Sequence, residues 1–542
     1  MASATTGVGT VVRGSIITMD PRRPRAEALA VRGDRIVAVA SLAEARDAAG
    51  AGAREIGFAD GAVLPGLIDT HNHMFWTGIQ SRIVDLSRAA SIADIQARIR
   101  DYAARHPKAP WIVSGEGWHV VNLKEQRYPT RQELDAACAD RPVYLPRVGH
   151  AAVANSKALA IAGIGRDTPE PAGGRIERDA KTGEPTGVLL EMPAFEPVAR
   201  HVPTLSHADR LAALEEIQKT YHAAGITGIV DPGVTPEILG IYQDLWAAGR
   251  LTMRSVVMPL ADTSRPPDEV IAALKAWGVR TGFGDARLRL GGIKLFVDGG
   301  ASLGTALMRE PHPDERCNCG IQVTSTDMLR RIAHFCAERR WSLGVHVVGG
   351  KAIDLALEVF DEVDRGHSIR DLRFCLIHAY LWPSAQNIAA AKRLGVVVAT
   401  QPSMQYTFGP ILVKRFGAAL MATATPIRDW LDGGVIVGGG SDSPITPYSP
   451  LLGLWQATTR RIEGSDEAIG REEVISAEEA LTLYTRNGAY LSFAETERGM
   501  LRPGMLADWI ALSVDPLTAA PDELRAASVR MTAVGGEVVH GG

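Results

Sequence analysis

Apolar and polar residues alternate in short stretches near both ends of the chain. Residues 8–64 contain VGTVVRGSIITMD and AEALAVRGDRIVAVA, and the Arg-Gly-Asp of the second stretch lies where a hairpin turn is expected. The alternation returns in the last ~45 residues with GMLRPGMLADWIALSVDP and ASVRMTAVGGEVVHGG. Because chain termini commonly lie close in space, we predict that residues 1–63 and 495–542 form one composite β-sandwich.

Between these ends, apolar runs rich in β-branched residues alternate with stretches such as DMLRRIAHFCAERR, whose apolar residues recur at helical spacing. The runs that we predict as strands are VLPGLIDTH, ITGIVDPG, MRSVVMPL, RLGGIKLFVDG, WSLGVHVVG, RFCLIHAY, GVVVATQP and GVIVGGGSDSP. Such alternation indicates a parallel sheet covered by helices on both faces. Eight strand–helix units predict an α/β fold, a (β/α)8 TIM barrel over residues 64–494.

The first two predicted strands are separated by about 150 residues, far more than the dozen or so that a helical crossover needs. Within the gap, GGRIERDAKTGEPTGVLLE predicts two strands around the turn Asp-Ala-Lys-Thr-Gly. We therefore predict that residues 80–210 form an inserted α+β subdomain over the barrel mouth, where loops after barrel strands build active sites.

Composition narrows the function further. The chain has 542 residues, of which 46% are apolar and 22% charged, with a net charge of -4. Its basic residues are scattered, which argues against a nucleic-acid partner, and no run of ~18 apolar residues could span a membrane. The odd number of cysteines and the lack of an apolar signal-peptide core lead us to expect a cytoplasmic protein.

Residues able to bind a metal ion recur at the carboxyl ends of the predicted barrel strands. In THNH, His71 and His73 are two apart on a strand, so their side chains point to the same face. Alone this pair is a weak signal, because a strand-end histidine is often only a satisfied polar group. Four further candidates occupy equivalent positions: Lys294, His346, His378 and Asp442. An aspartate after Gly-Ser is often a turn or helix cap, yet six such residues on one rim predict a metal site.

Lys294 is the least easily explained of these residues. It lies between isoleucine and leucine in GGIKLFVDGG, where burial should lower its pKa and favour the neutral amine. A neutral amine can add carbon dioxide to form a carbamate, whose oxygens could bridge two cations. Lys294 is thus a candidate ligand as well as a candidate catalytic residue.

Motifs along the whole chain resemble the amidohydrolase superfamily, and within it amidohydrolase family 3. They include PGLIDTHNH, GHAAVANSKAL, GGIKLFVDG, HVVGGKAID and GGGSDSP. The resemblance implies that His71 and His73 hold one metal with Asp442, while His346 and His378 hold a second. It also implies a bridging carbamate on Lys294, and zinc is the default metal for imidazole and oxygen ligands.

Three positions depart from the usual family pattern: Gly350, Ile377 and Gly300. None of them is an implied ligand, but each neighbours one or faces the substrate. Residues around a metal site tune its affinity and rate. We therefore expect the substrate preference to differ from that of better-known relatives.

The chemistry expected of such a site is hydrolysis of an amide, of N-acyl or N-formyl type, in a small molecule. A metal-activated hydroxide would attack the carbonyl, with Asp442 as general base and then general acid. An ester, lactone or carbamate hydrolase using the same site is the main alternative. An aminoheterocycle deaminase and a non-catalytic metal-binding regulatory protein are the others.

Substrate contacts are expected from loops near the barrel mouth. His150, in GHAAVANS, is the best single candidate because a similar histidine occupies this motif in the family. Trp118 and Trp76 suggest a largely apolar pocket, although packing in the subdomain core is an equal alternative for each tryptophan. Beyond the small-molecule substrate, the resemblance allows a second copy of the chain as a partner, because dimers are frequent in the family, but no feature of the sequence decides between a monomer and a homodimer.

Overall fold

The protein is described by a computed structural model. The described residues are 8–80, 82–115, 118, 120–147, 151–171, 174–190, 192–203, 205–302, 304–312 and 319–541.

The β-strands of this part of the chain are β1 Thr10–Ile17, β2 Arg25–Arg32, β3 Arg35–Ala40, β4 Arg54–Gly57, β5 Ala62–Pro65, β6 Leu67–Asp69, β7 Ile112–Val113, β8 Val143–Arg147, β9 Ala151–Ala154, β10 Arg175–Arg178, β11 Pro185–Leu190, β12 Ile226–Val234, β13 Arg254–Pro259, β14 Leu288–Leu290, β15 Ile293–Phe296, β16 Leu343–Val347, β17 Cys375–His378, β18 Val397–Thr400, β19 Val437–Gly439, β20 Trp509–Leu512, β21 Val529–Val534 and β22 Glu537–His540.

The α-helices are α1 Leu42–Ala49, α2 Met74–Gln80, α3 Ile92–Arg105, α4 Arg131–Ala137, α5 Ser156–Ile161, α6 Met192–Ala199, α7 His207–Ala223, α8 Pro236–Ala247, α9 Pro267–Ala276, α10 Thr326–Arg339, α11 Gly350–Gly366, α12 Ala385–Leu394, α13 Pro402–Phe416, α14 Ala418–Met421, α15 Ile427–Asp432, α16 Pro450–Thr459, α17 Ala477–Leu483, α18 Arg486–Leu491 and α19 Pro521–Ala526. None of the helices in the described ranges is both long and apolar enough to cross a membrane.

Several helices begin where their sequence provides a cap. Ser41 starts α1 and Glu44 reaches back to the Ser41 backbone, which completes a capping box. Thr130 and Glu133 do the same at the start of α4. Each box satisfies backbone N–H groups that have no partner inside the helix.

Strands from both ends of the chain share one sheet of eight strands. Its order is β22-β21-β20-β5-β1-β2-β3, with β4 beside β1. The predicted Arg-Gly-Asp hairpin is confirmed between the antiparallel strands β2 and β3, where Gly33 has a φ of 58°. One face of this sheet is apolar and buries Leu29, Val63 and Trp509. The folding of this sheet into a sandwich stays a prediction, as do the predicted domain boundaries.

Each of the eight apolar runs predicted as parallel strands contains a strand of a parallel sheet. The first run also contains β5 of the terminal sheet, and the fourth contains both β14 and β15. The strands β6, β12, β13 and β14 form one parallel sheet, and β15 to β19 form another. Leu260, just after β13, bridges in parallel to Lys294 on β15. At the opposite edges, the N–H of Thr70, which follows β6, donates to the Gly439 carbonyl of β19 over 3.0 Å. The two sheets are therefore connected at both edges.

Glycines mark the places where the predicted strands are interrupted. VLPGLIDTH breaks at Gly66, so that β5 joins the terminal sheet while β6 joins a parallel one. A Cβ at Gly66 would lie 2.3 Å from the side chain of Thr227, so only glycine allows this close approach. RLGGIKLF breaks at Gly292, where a Cβ would meet the Ser342 backbone at 2.9 Å.

The chain divides into two compact units. The larger contains Met1–Met74 and Glu215–Gly542, and the smaller contains Phe75–Leu214. The smaller unit has its own sheet, in the order β10-β11-β9-β8-β7. The predicted hairpin around Asp-Ala-Lys-Thr-Gly is confirmed, because β10 and β11 pair antiparallel and Asp179 accepts hydrogen bonds from the N–H groups of Lys181 and Thr182.

Candidate metal centre

Three of the candidate ligands meet at one point of the larger unit. Nε2 of His71 lies 3.0 Å from Oδ1 of Asp442, and Nε2 of His73 lies 3.2 Å from the same oxygen. One donor atom of each residue lies within 4.8 Å of the others. His71 and Asp442 are buried and His73 is half-buried. Two imidazoles and a carboxylate at this spacing suit Zn²⁺ and similar ions.

Backbone hydrogen bonds hold the loops that carry these three residues together. The N–H of Asp442 donates to the His71 carbonyl over 2.7 Å, and the N–H of His73 donates to the Ser443 carbonyl over 2.8 Å. Asp442 has a φ of 57°, a left-handed conformation that an aspartate adopts only with support from its surroundings. The chain is thus fixed on both sides of the carboxylate.

A second buried carboxylate, Asp69, accepts hydrogen bonds from both of the loops that carry these ligands. Its Oδ1 accepts the N–H groups of His71 (3.3 Å) and Ser441 (2.9 Å). Its Oδ2 accepts the Asn72 amide (2.8 Å) and the Ser441 hydroxyl (2.6 Å). Burial raises the pKa of Asp69 to about 6, although these four hydrogen bonds act in the opposite direction. Asp69 is therefore a structural acceptor that links the ends of β6 and β19.

Two further histidines continue from His71 as a row of imidazoles. The ring centroids of His73 and His71 are 5.2 Å apart, those of His71 and His378 are 5.0 Å apart, and those of His378 and His346 are 4.6 Å apart. The rings meet at steep angles, as neighbours around a common centre do. The four predicted histidines are therefore adjacent in space. His346 and His378 lie on β16 and β17, whereas His71 and His73 lie in the loop after β6 and not on the strand itself, as the sequence had predicted.

The outer sides of His346 and His378 face polar groups that the sequence did not reveal. Oε1 of Gln401 lies 2.6 Å from Nδ1 of His378, so this ring can donate through Nδ1 and keep the Nε2 lone pair for a metal. Nδ1 of His346 lies 3.3 Å from Oδ1 of Asp298. Asp298 is itself held by the N–H groups of Leu307, Val348 and Gly349, each at 2.9 Å.

Lys294 points into the same interior region. Its side chain is 1% exposed, and Nζ lies 4.7 Å from the ring centroid of Phe296. Burial lowers the pKa of Lys294 to about 8, even though the charge of Asp442 acts to raise it. A substantial fraction of neutral amine at mildly alkaline pH follows from this value, which is the form that carbamate chemistry requires.

Burial is also the largest influence on the pKa values of the three meeting ligands. It lowers the pKa of His71 to about 3, against the raising effect of Asp442. For Asp442 burial acts upwards, but the charge of His71 and the hydrogen bonds with His71 and His73 outweigh it and hold the pKa well below the usual value. The pKa of His73 is raised, because hydrogen bonding and charge from Asp442 outweigh burial. A cation at this point would replace the His73 proton, so the donor set fits a divalent metal ion.

Phe296 is a residue of this region that the sequence reasoning missed. It is two positions after Lys294 on β15, so both side chains point to the same face. Its ring centroid is 5.2 Å from that of His346, yet 39% of the residue is exposed. In the sequence IKLF, the spacing of two residues between Lys294 and Phe296 already indicates that the two side chains share a face of the strand. An exposed aromatic ring beside the imidazoles offers an apolar wall.

The three residues predicted to contact substrate do not lie together in the described part of the structure as the predicted metal ligands do. The structure places Trp118 in the core of the smaller unit, where it is 1% exposed and its indole N–H donates to the Pro146 carbonyl over 2.9 Å. This packing corrects the expectation of a substrate contact. Trp76 lies on α2 and is 50% exposed, with its ring against Phe75, so its role stays a prediction. His150 lies outside the described residues.

Comparison with known proteins agrees with this geometry. A model of the amidohydrolase family matches residues 55–540. The YtcJ amidohydrolase of Bacillus subtilis is 30% identical over 536 residues, which cover 97% of this chain and 98% of that protein. The N-substituted formamide deformylase of Arthrobacter pascens is 30% identical over 542 residues, covering 97% of each.

A solved structure shares the architecture as well. It is a metal-dependent hydrolase from Pyrococcus furiosus, 26% identical, with a TM-score of 0.74 over 94% of this chain and 100% of that one. Family match, full-length relatives and common fold all lead to one assignment. The chain belongs to the amidohydrolase family, and it is a metal-dependent hydrolase.

Proposed function

We propose that the protein hydrolyses the carbonyl–nitrogen bond of an N-acyl or N-formyl amide in a small molecule. The observation that carries the proposal is the row of four imidazoles beside the carboxylate of Asp442 and the buried amine of Lys294. The similarity to an N-substituted formamide deformylase supports the amide as the bond that is cleaved.

The donor groups present divide naturally into two sets. His71 and His73 with Asp442 would hold one divalent ion, and His346 with His378 would hold a second, with a carbamate on Lys294 as an additional oxygen ligand. Zinc is the metal that this mixture of nitrogen and oxygen donors favours. When bound, the metal supplies Lewis acidity, which polarises a carbonyl and makes water acidic enough to be deprotonated near neutral pH.

Asp442 is the residue of the chain that we assign to proton transfer. Its pKa is held well below the usual value, so it is a carboxylate at the start of the reaction and can accept the proton of the attacking water. The same carboxyl group then returns the proton to the leaving nitrogen. The backbone hydrogen bonds on both sides of Asp442 keep it in place for both steps.

Phe296 defines the kind of substrate that we propose. Its ring lies beside His346 and remains 39% exposed, which leaves an apolar surface next to the candidate ligands. Covering that surface with an apolar substituent removes it from water and stabilises the complex. We therefore assign to the enzyme amides that carry an apolar group close to the scissile bond.

The fold that presents this site is, in our proposal, one closed (β/α)8 barrel. The supporting observations are the parallel pairing inside both sheets and the connections at Leu260–Lys294 and Thr70–Gly439. In a closed barrel the carboxyl ends of all strands surround one opening, which is where the candidate ligands lie.

A substrate panel tests the reaction class. N-formyl and N-acyl amines, esters and lactones of the same apolar substituents, and aminoheterocycles would be incubated with the zinc-loaded protein and followed by product release. We expect the amides to be hydrolysed with the highest kcat/KM. Turnover of the esters or aminoheterocycles without turnover of any amide would contradict the proposal.

The Asp442→Asn variant tests the assigned proton transfer. Because general acid–base catalysis contributes about 100-fold to 10,000-fold, kcat should fall by at least about 100-fold when the variant and the wild type are compared at equal metal content per chain. Asp466→Asn, at an exposed position, is the matched control. Equal kcat values in the Asp442 variant and the wild type would remove Asp442 from the mechanism.

A further inference from the structure

The buried carboxylate of Asp231 lies beside the candidate metal centre. This residue of β12 is 2% exposed, and its Oδ1 lies 3.8 Å from Nδ1 of His73. Nε2 of the same imidazole lies 3.2 Å from Oδ1 of Asp442. The two ring nitrogens of His73 therefore face two different carboxylates, and only the one at Nε2 belongs to the group of three candidate ligands.

A tyrosine orients this carboxylate. The hydroxyl of Tyr242, a buried residue of α8, donates to Oδ2 of Asp231 over 2.5 Å. A hydrogen bond of this length from a hydroxyl to an ionised carboxylate is a strong one. Tyr242 binds one oxygen of the carboxylate, and the other oxygen is the one nearest to the His73 ring. The hydroxyl therefore sets how the carboxylate is turned relative to the imidazole.

Backbone contacts bring His73 and Asp231 together. The N–H of Asn72 donates to the Val230 carbonyl over 2.9 Å, and these two residues directly precede the histidine and the aspartate in sequence. The side-chain oxygen of Asn72 also accepts the hydroxyl of Tyr221 over 2.8 Å. The loop after β6 is thus fastened to β12 one residue before the two side chains, so their proximity follows from the fold of the backbone.

The chemistry of metal-binding histidines gives this arrangement a use. A neutral imidazole that binds a metal through Nε2 carries its proton on Nδ1, and an acceptor at Nδ1 fixes the ring and makes Nε2 more basic. His346 has a carboxylate at this position, because Oδ1 of Asp298 lies 3.3 Å from its Nδ1. Asp231 provides the corresponding carboxylate for His73.

We propose that Asp231 is a positioning residue of the metal centre, which accepts the Nδ1 hydrogen bond of His73 and is itself oriented by Tyr242. The separation of 3.8 Å is about 1 Å longer than a charge-assisted hydrogen bond, a gap that a small rotation of the His73 side chain closes. Asp231 and Tyr242 thereby raise the metal affinity of the site formed by His71, His73 and Asp442. The inference rests on the metal binding in the proposed function.

Zinc affinity tests the proposal without an assay of turnover. The dissociation constants for zinc would be measured by competition with a coloured chelator in the wild type and in Asp231→Asn, which keeps the shape of the side chain but removes its charge. Because loss of such an outer partner costs about 10-fold to 100-fold in metal affinity, a dissociation constant should rise by this factor. Asp244→Asn, at an exposed position of α8, should bind zinc as the wild type does. Equal dissociation constants in the wild type and Asp231→Asn would overturn the proposal.

The role of Tyr242 is tested in two backgrounds. Tyr242→Phe removes one hydrogen bond and should weaken zinc binding about 2-fold to 10-fold when Asp231 is present. In the Asp231→Asn background it should have no further effect, because the tyrosine acts through the carboxylate. An equal loss of zinc affinity in both backgrounds would show that the tyrosine acts only on the fold, and would overturn its part of the proposal.

A crystal structure of the zinc-loaded wild-type protein decides the matter even if Asp231→Asn does not fold. Oδ1 of Asp231 should lie within about 3.2 Å of Nδ1 of His73. A separation that remains near 3.8 Å, or a different acceptor at Nδ1, would overturn the proposal. Zinc bound with this hydrogen bond in place, but without hydrolysis of any amide, would support the proposal and contradict only the proposed function.

Discussion

Lys294 combines three properties that are seldom found in one lysine. It is 1% exposed, it faces an aromatic ring, and its pKa is lowered to about 8 by burial. Burying an amine without a strong partner costs stability, so a position like this is a candidate for function. In the proposed metal site, this cost is offset when the amine becomes a ligand.

Replacement of Lys294 by methionine should therefore remove bound metal while leaving the fold intact. The methionine fills a similar volume and places no charge in the interior, so the far-ultraviolet circular dichroism should match that of the wild type. Metal per chain, measured by mass spectrometry after native purification, should fall by at least half. Lys275→Met, at an exposed position, should have the wild-type content. Wild-type metal content in the Lys294 variant would exclude the lysine as a ligand.

Phe296 leads to a prediction about specificity. Phe296→Ala should lower kcat/KM about 10-fold for amides with a large apolar substituent, since about 1–2 kcal/mol of apolar contact is lost. N-formyl amides of small amines should be nearly unaffected. Phe283→Ala, which removes an exposed ring from a loop before β14, is the control. An equal loss across all amides would show that Phe296 supports the site instead of contacting substrate.

The individual side chains differ in how readily the sequence reveals them. Strand parity and the position at a strand end are enough to group His71, His73 and Lys294 as candidates. Gln401 and Asp298 could not be found in this way, because each reaches its histidine from another strand end or loop. Such contacts depend on how separate strands pair, which a local pattern does not specify.

Buried pairs connect elements that are distant in sequence. Arg254, at the start of β13, and Asp508, just before β20, are 3% and 4% exposed and form a two-pronged ion pair. Oδ1 of Asp508 also accepts the N–H of Gly535 over 2.8 Å. This pair fastens the terminal sheet to the amino end of a parallel strand.

Breaking this pair on one side should destabilise the protein strongly. Arg254→Met leaves a buried carboxylate without its cation, and Asp508→Leu leaves a buried guanidinium, so each should cost about 3–5 kcal/mol of unfolding free energy. The double variant should be more stable than the sum of the two losses predicts. Chemical denaturation of all four proteins measures the coupling. Additive losses would contradict an interaction between the two side chains.

The elements themselves were predictable where the local pattern was strong. All eight apolar runs contain parallel strands, because β-branched residues buried on both faces leave few alternatives. The interruptions at Gly66 and Gly292 were not foreseen. They depend on close approach to Thr227 and Ser342, which are distant in sequence. The same limit applies to Trp118, since the sequence does not tell which loop aromatic is packed inside.

At the scale of the whole molecule, one buried histidine contributes to the way that stability depends on pH. His222, at the end of α7, is 1% exposed, with Nδ1 3.0 Å from the Ile226 carbonyl and Nε2 2.9 Å from the Thr252 hydroxyl. Burial lowers its pKa from 6.5 to about 4. The unfolded chain therefore takes up a proton below about pH 6.5 that the folded protein takes up only near pH 4.

Stability should consequently fall as the pH is lowered from 6.5 towards 4, by about 1.4 kcal/mol per pH unit from this group alone. His222→Gln should remove that part of the loss. The drop in melting temperature between pH 7 and pH 5 should be smaller in this variant than in the wild type. His367→Gln, at an exposed position, should behave as the wild type does. An unchanged drop in the His222 variant would show that other groups dominate.

Much of the fold could be predicted from the sequence, because the hydrophobic pattern at the two ends of the chain differs clearly from that of the central region. Alternating residues at both ends form one shared sheet, and the long central region forms parallel sheets. The residues that bind the substrate could not be predicted from the sequence. That depends on side chains such as Phe296, whose exposure results from packing around it.

Metal-dependent hydrolysis at the candidate site is tested most directly by measuring metal content and hydrolysis on the same sample of protein. Metal would be removed with a chelator, quantified per chain, and restored by stepwise addition of zinc, with amide hydrolysis assayed at each step. We predict that activity disappears with the metal and returns in proportion to the metal bound, and that a variant lacking both His71 and His73 recovers neither. Hydrolysis at the full rate by metal-free protein would contradict metal-dependent catalysis at this site.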